Sequence, residues 1–576
     1  MKKIEGLAGA AGQALYRALV LKREAVELVE GTVADPEEEI ARFEEIRGKY
    51  AEELDQLAQK SADGHGQEAA AIMRAYAVIA RDDFFFQKPI KRVRADGISM
   101  AYAVEEACQK VCRKFEGMDD PYMKERAVDI RNVCTELIRR LQGVSSTLEI
   151  QGDDPVILVA EDLTPEDTIR VDKKKLGGFI TQRGGVTSHA VILAKTLGIP
   201  AVVGCGEVMT AVESGQKLYL NGSEGWAIVE PDAETEARFR DAHKKQLQLD
   251  GLYRHAASQP SVTKDGHQIM VCVNSGDKDS VNGLDATKCD GVGLFRTEFL
   301  FMDQTDYPSE QLQYEAYRQV AEAAQGKEII IRTLDIGGDK QLDYMSLPQE
   351  FNPFLGYRAI RLCLDRKEMF LTQLRAILRA SAHGKLKIMF PMIVTVEELR
   401  QAKALVQQAA QELDQEGVAH APHVPVGIMI ETPAAVLLSD QLAKEAEFFS
   451  IGTNDLIQYT AATDRQNERV QYLYTPCNLS VLRAIATVIE NGHREGIPVG
   501  MCGEAASDPR LGLLLLGLGL DEFSVVPAQV GKVKYMVQHA DYGQLAAKVK
   551  KLWEFATIEE LEAWLASWQE EAGEQL

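Results

Sequence analysis

The sequence predicts an α/β multidomain protein: a C-terminal (β/α)8 barrel preceded by an α/β domain into which an α-helical bundle is inserted. Three observations carry that prediction. Eight short apolar runs recur through the C-terminal half with helix-period segments between most of them, the pattern of a TIM-type barrel. Strand-like segments at residues 1–20 and again after Gly143 flank a long stretch of purely helical period. A charged stretch at 232–258, free of Gly and Pro between Ala233 and Asp250, separates the two halves as a long helix.

Residues 1–20 are apolar and glycine-rich (Gly6, Gly9, Gly12) and too few for a domain, so their strands are expected to join a later sheet. From Pro36 to Gly143 the helical pattern breaks near Asp63-Gly64, Asp96-Gly97 and Asp119-Asp120-Pro121, which predicts a bundle of about four helices. Within it, Asp82-Asp83-Phe84-Phe85-Phe86 reads as core or as an exposed docking surface. Strands follow at 156–160, 179–181, 201–204, 217–220 and 226–229, then the barrel strands at 270–273, 291–294, 328–331, 386–390, 426–430, 448–451, 498–501 and 522–525. The expected division is 1–20 with 145–230 for the α/β domain, 21–144 for the helical insertion, 231–260 for a helical linker and 261–576 for the barrel.

Composition narrows the function. Lys and Arg number 64 against 87 Asp and Glu, a formal charge of −23, which argues against a nucleic-acid partner. The nine cysteines form an odd set without a C-x-x-C pair, as expected of reduced thiols. Glu5 and Gln13 interrupt the first apolar run, and none is long enough for a bilayer, so a cytoplasmic protein without membrane insertion is expected.

Chemistry-bearing residues concentrate where barrel strands end, the face on which barrel active sites lie. Arg296, Arg332 and Arg465, with Lys340 and Arg358 nearby, suit a ligand that carries both phosphate and carboxylate. Glu431 and Asp455 offer the sparse oxygen coordination that Mg²⁺ accepts when substrate supplies more. Cys502, between an apolar strand and Gly503-Glu504, is placed to donate a proton or else is an inert core thiol. In the α/β domain, Gly184-Gly185 precedes Thr187-Ser188-His189 and a helix-period segment ending at Gly198-Ile199-Pro200. A histidine in a helix's first turn lies beside unpaired N–H groups that would stabilise a phosphoryl group on its ring; a merely packing histidine is the plainer reading of that segment alone.

Together these motifs resemble the phosphoenolpyruvate–protein phosphotransferases, Enzyme I of the sugar phosphotransferase system, over nearly the whole chain. Residues 184–189 resemble the family's phosphohistidine signature, 449–459 its second signature and 500–504 its third, with further similarity at 296–302, 332–340 and 352–358. The resemblance implies that His189 is phosphorylated by phosphoenolpyruvate and passes the group to a histidine of the carrier HPr, releasing pyruvate in the first step of sugar uptake. It implies that Arg296, Arg332, Lys340, Arg358, Asn454 and Arg465 bind phosphoenolpyruvate, that Glu431 and Asp455 hold Mg²⁺, that Cys502 protonates the enolate and that Thr168 orients His189. It further implies that the helical insertion binds HPr and that the barrel forms a homodimer. Related enzymes that phosphorylate this histidine from a nucleotide need an ATP-grasp domain, and neither a segment of that size nor a P-loop is present. Val186 stands where the family has Arg, Lys195 replaces another Arg, and Gln182-Arg183 replaces a pair that begins with an acid. Those departures leave open a different carrier, or a regulatory paralogue without turnover.

Overall fold

The N-terminal strands bury Ile4, Ala10, Ala14, Ala18 and Val20 and can do so only within a larger sheet. In the computed structural model, which describes residues 2–21, 31–64, 67–117, 121–143, 154–163, 167, 175–185, 191, 194, 198–276, 288–302, 304–338, 342–467, 469–508 and 510–572, they find one. Strands β1 (Lys2–Glu5), β2 (Leu7–Ala10) and β3 (Gln13–Leu21) join β4 (Val156–Ala160), β5 (Leu176–Thr181), β6 (Ala201–Val203), β7 (Lys217–Asn221) and β8 (Trp226–Val229). The order is β1-β8-β7-β3-β4-β5-β6-β2, with β3, β4, β5 and β6 parallel and β1 and β2 antiparallel to their neighbours at the two edges. Ala14, Ala18 and Val20 of β3 pack there with Ile157, Val159 and Ile180. This sheet belongs to the first of two compact units, 1–244 and 245–576.

Between β3 and β4 the described residues form five helices, one more than the breaks in the sequence predict: α1 (Pro36–Gly64), α2 (Gln67–Ala80), α3 (Asp83–Asp96), α4 (Met100–Glu116) and α5 (Pro121–Leu141). The additional boundary is at Asp82, whose carboxylate accepts from the N–H groups of Phe84 and Phe85 at 2.9 and 3.1 Å and so caps α3. No Gly or Pro marks residues 67–88, so the helical period runs through the break unannounced. The phenylalanine run divides: Phe86 is buried with its ring 5.3 Å from that of Phe43, while Phe84 is 79% exposed. Helix α6 (Ala233–Ala257) is the predicted long helix and runs through the point where the two units divide.

The second unit is a closed parallel barrel of β9 (Met270–Ser275), β10 (Gly291–Phe295), β11 (Glu328–Arg332), β12 (Lys385–Phe390), β13 (Val426–Ile430), β14 (Phe449–Ile451), β15 (Val499–Met501) and β16 (Glu522–Val525). Successive strand residues face opposite ways, which sorts the apolar side chains into two clusters. Val292, Ile329, Ile331, Ile388 and Ile428 pack outward in the large core, whereas Leu294, Ile330, Met389, Met429 and Phe448 fill the lumen with Cys502. Those six side chains form an apolar plug beneath whatever sits at the barrel's mouth. No described helix is long and apolar enough to cross a membrane.

Candidate functional site

The mouth of the barrel holds a cavity of about 300 Å³ above that plug. Arg296 and Arg332 reach it from the ends of β10 and β11, Glu431 from β13, and Cys502 from β15. Asn454 and Asp455 enter in the first turn of the helix Thr453–Thr460, and Arg358 and Arg465 from loops. Eight expected residues thus converge on one space. Lys340, His189 and Thr168 lie outside the described residues, as do Val186 and Lys195.

Two close approaches explain the glycines of the rim. A Cβ on Gly503 would stand 1.7 Å from Thr453 Oγ1, so only glycine lets the Cys502 loop lie against the next helix. Gly337, at φ +114°, sits where a Cβ would meet Arg358 Cβ at 2.4 Å.

Arg332 and Arg358 are held by carboxylates behind them. Arg332 pairs with Glu298 at 2.5 Å and with Asp335 at 3.1 Å, and Asp335 also takes Arg358 at 2.8 Å. Burial works against the charge of Arg332, yet Glu298, Asp335 and Glu431 hold its pKa above the ordinary arginine value. Arg358 follows the same logic through Asp335 and Asp455, and the ring of Phe354 lies 5.9 Å from its guanidinium and 5.6 Å from that of Arg465. Arg465 is less committed, with its side chain 30% exposed and its contact to Asp455 at 3.6 Å.

Glu431 and Asp455 lie on the floor of the same space. Burial first, and then repulsion from Asp455 and Asp335, push the Glu431 carboxyl up to about 8. Met392, in the left-handed region at φ 57°, aims its N–H at Glu431 Oε1 at 2.5 Å. Asp455 Oδ1 is buried without a hydrogen bond, Arg465 Nη1 standing off at 3.6 Å, which leaves it able to take a closer cation. These features fit a divalent ion with two protein carboxylates and the rest of its shell from substrate and water. No cluster of three or more acidic, Cys or His ligands occurs among the described residues.

Cys502 stands where the polar mouth meets the apolar lumen. Burial pushes its thiol up to about 11, so at neutral pH it carries its proton. Its position is fixed from behind, because the Asn274 amide donates to the carbonyls of Cys502 and Ser524 at 3.1 and 3.0 Å while Ser524 Oγ donates to Asn274 Oδ1 at 2.7 Å.

Sequence reasoning missed several contributors. Asp335 lies within 332–340, but nothing in the spacing marks it as the shared anchor of two arginines. Tyr459, whose hydroxyl accepts from Arg358 Nη1 at 3.3 Å, lies within 449–459 but carries no spacing signal of its own. Met429 lines the cavity wall, and a methionine on a buried strand is indistinguishable from core until the lumen is seen.

Barrel, apolar plug and arginine-rich mouth define a phosphoenolpyruvate-utilising enzyme, and family comparison agrees. Residues 252–542, half of the chain, match the PEP-binding domain of PEP-utilising enzymes, 152–225 the mobile domain and 5–126 the N-terminal domain. The chain is 41% identical over 565 residues to the phosphoenolpyruvate-protein phosphotransferase of Bacillus subtilis (strain 168), covering 98% of this chain and 99% of that one. It is 45% identical over 525 residues to that of Geobacillus stearothermophilus, covering 91% of each, and 40% over 560 residues to that of Staphylococcus carnosus (strain TM300), covering 97% and 98%. The chain belongs to the phosphoenolpyruvate-protein phosphotransferase family.

Proposed function

We propose that this chain transfers the phosphoryl group of phosphoenolpyruvate to its own His189, releases pyruvate, and passes the group to a histidine of the carrier HPr, the first step of the sugar phosphotransferase system. The observation that carries this reading is one cavity lined by four arginines, two carboxylates and a cysteine. An anion with phosphate at one end and carboxylate at the other meets Arg296, Arg332, Arg358 and Arg465, with Lys340 and Asn454 completing its contacts. Phosphoryl transfer needs positioning and charge neutralisation more than covalent help, which guanidiniums already fixed by Glu298 and Asp335 supply at little reorganisation cost.

Glu431 and Asp455 would hold Mg²⁺ in this reading, and the ion would supply further charge neutralisation there. As the His189 nitrogen attacks in line, its bond to phosphorus forms while the bridging P–O bond breaks, leaving enolpyruvate. The enolate electron pair then takes the Cys502 proton onto the methylene carbon, giving pyruvate, and the thiolate regains a proton from solvent. Leu294 and Met429 keep water from that carbon. Thr168 orients the histidine ring, the helical insertion receives HPr, and the barrel self-associates as a homodimer.

The test is pyruvate release from phosphoenolpyruvate, followed by a coupled lactate dehydrogenase assay with HPr and Mg²⁺ present. Turnover that depends on all three components is expected. Absence of pyruvate with a competent HPr would overturn the reading.

A further inference from the structure

The hydrogen bonds behind Arg332 lead out of the cavity and into the barrel wall. Gln373 stands on the helix Lys367–Ala380, whose Phe370 and Leu374 pack in the outward core, and it does not line the cavity. Its amide is nonetheless fully used. Oε1 accepts from the Leu334 N–H at 3.0 Å, while Nε2 donates to Thr297 Oγ1 and to the Tyr317 hydroxyl at 3.2 Å each. Thr297 Oγ1 in turn donates to the Arg332 carbonyl at 3.0 Å, and the Tyr317 hydroxyl to Gln313 Oε1 at 3.2 Å. All five of these residues, Leu334 included, are at most 1% exposed, so losing one partner leaves a buried polar group bare.

The direction of this chain of bonds is forced. A backbone N–H can only donate, so the amide oxygen faces Leu334 and the amide nitrogen faces the two hydroxyls. Each hydroxyl receives one bond and has its own hydrogen left, for the Arg332 carbonyl in one case and for Gln313 in the other. Turning any member round breaks a bond elsewhere.

The two residues that Gln373 grips stand beside the groups that build the arginine cage. Thr297 separates Arg296 from Glu298, and Leu334 immediately precedes Asp335. Glu298 and Asp335 are the carboxylates that take Arg332, at 2.5 and 3.1 Å. One side chain thus ties the segments after β10 and β11 together where these charges meet. We propose, on the reading of this cavity as the phosphoenolpyruvate site, that Gln373 is a positioning residue: from within the barrel wall, and without contact with substrate, it sets the spacing of Arg296 and Arg332.

The test is calorimetric titration of the full chain with phosphoenolpyruvate and Mg²⁺ in a His189→Ala background, where binding is read without transfer and Kd is separated from stoichiometry. Gln373→Met keeps the length of the side chain and removes its donor and acceptor. It should raise Kd about ten- to a hundredfold at unchanged stoichiometry. A side chain that only stabilises the fold would instead lower the stoichiometry at the parental Kd, and that result would overturn the proposal. Thr297→Val keeps the shape of threonine and removes the hydroxyl. It should raise Kd by a smaller factor, and it decides alone if Gln373→Met fails to fold; parental affinity in the folded variants would overturn the proposal. Pyruvate release is followed in parallel with His189 intact. Variants that bind as expected beside a parent that releases no pyruvate to a competent HPr would refute the transfer reaction and leave the role of Gln373 standing. A parent that binds no phosphoenolpyruvate would overturn both.

Discussion

At the scale of single residues, the account turns on which groups carry protons and which carry fixed charge. Cys502 is a thiol at neutral pH because burial raises it to about 11, so its replacement should remove an acid and leave the arginine cage intact. Cys502→Ala is expected to lower kcat for pyruvate formation by about 10²–10⁴-fold with KM for phosphoenolpyruvate little changed; steady-state kinetics showing a KM effect alone would contradict the role. Arg465 is half-buried and loosely paired, so Arg465→Ala should raise KM roughly ten- to a hundred-fold without a change in melting temperature. Glu431 gives the pH prediction. Its carboxyl is raised to about 8, so a cation must displace a proton below that pH, and Mg²⁺ affinity should fall about tenfold per unit as pH drops from 8 to 6. Calorimetric titration finding a flat profile would mean that Glu431 is not a ligand.

At the scale of elements, the barrel was legible because its strands end on chemistry: arginines, carboxylates and a cysteine follow apolar runs at helix-separated intervals, and all eight strands lie within two residues of their expected places. The break at Asp82 was not legible, since a capping carboxylate leaves the helical period unbroken and only its hydrogen bonds reveal the boundary. Asp82→Ala should therefore cost the bundle about 1 kcal/mol, measured by thermal unfolding; an unchanged midpoint would assign the break to helix packing instead. Tyr459 and Asp335 escaped for another reason: their roles arise from Arg358 folding back over a loop, which no spacing encodes. A second element-scale prediction concerns the joint of β15 and β16. Asp521 takes the Val499 N–H and His493 Nε2 at 2.8 Å each, and hydrogen bonding to Asp521 raises the histidine pKa. A raised histidine stabilises the fold fully below its unfolded pKa of about 6.5 and loses that contribution as pH rises through the folded value. With the two side chains 41% and 34% exposed, the contribution should stay under about 1 kcal/mol. The melting temperature of the parent should exceed that of His493→Gln at pH 6 and converge with it at pH 9.

At the scale of the whole molecule, the sequence division into sheet, helical insertion and barrel rests on periodicity alone, while the chemistry rests on one histidine meeting two partners. In the proposed reaction His189 faces phosphoenolpyruvate when it accepts the group and HPr when it gives it, so the proposal requires a change of conformation between the two steps. Small-angle scattering profiles should differ with and without substrate and Mg²⁺, and identical profiles would contradict that requirement. In the proposed reaction, Val186 and Lys195 in place of the family's arginines would loosen the hold on the phosphorylated ring, and the transfer itself reports on them. The most direct measurement is transfer of label from ³²P-phosphoenolpyruvate with Mg²⁺, with and without HPr, comparing the parent with His189→Ala. Acid-labile label on the parent, none on the variant, and passage of the label to HPr is the predicted result. Label on the variant, or none on the parent, would contradict the account.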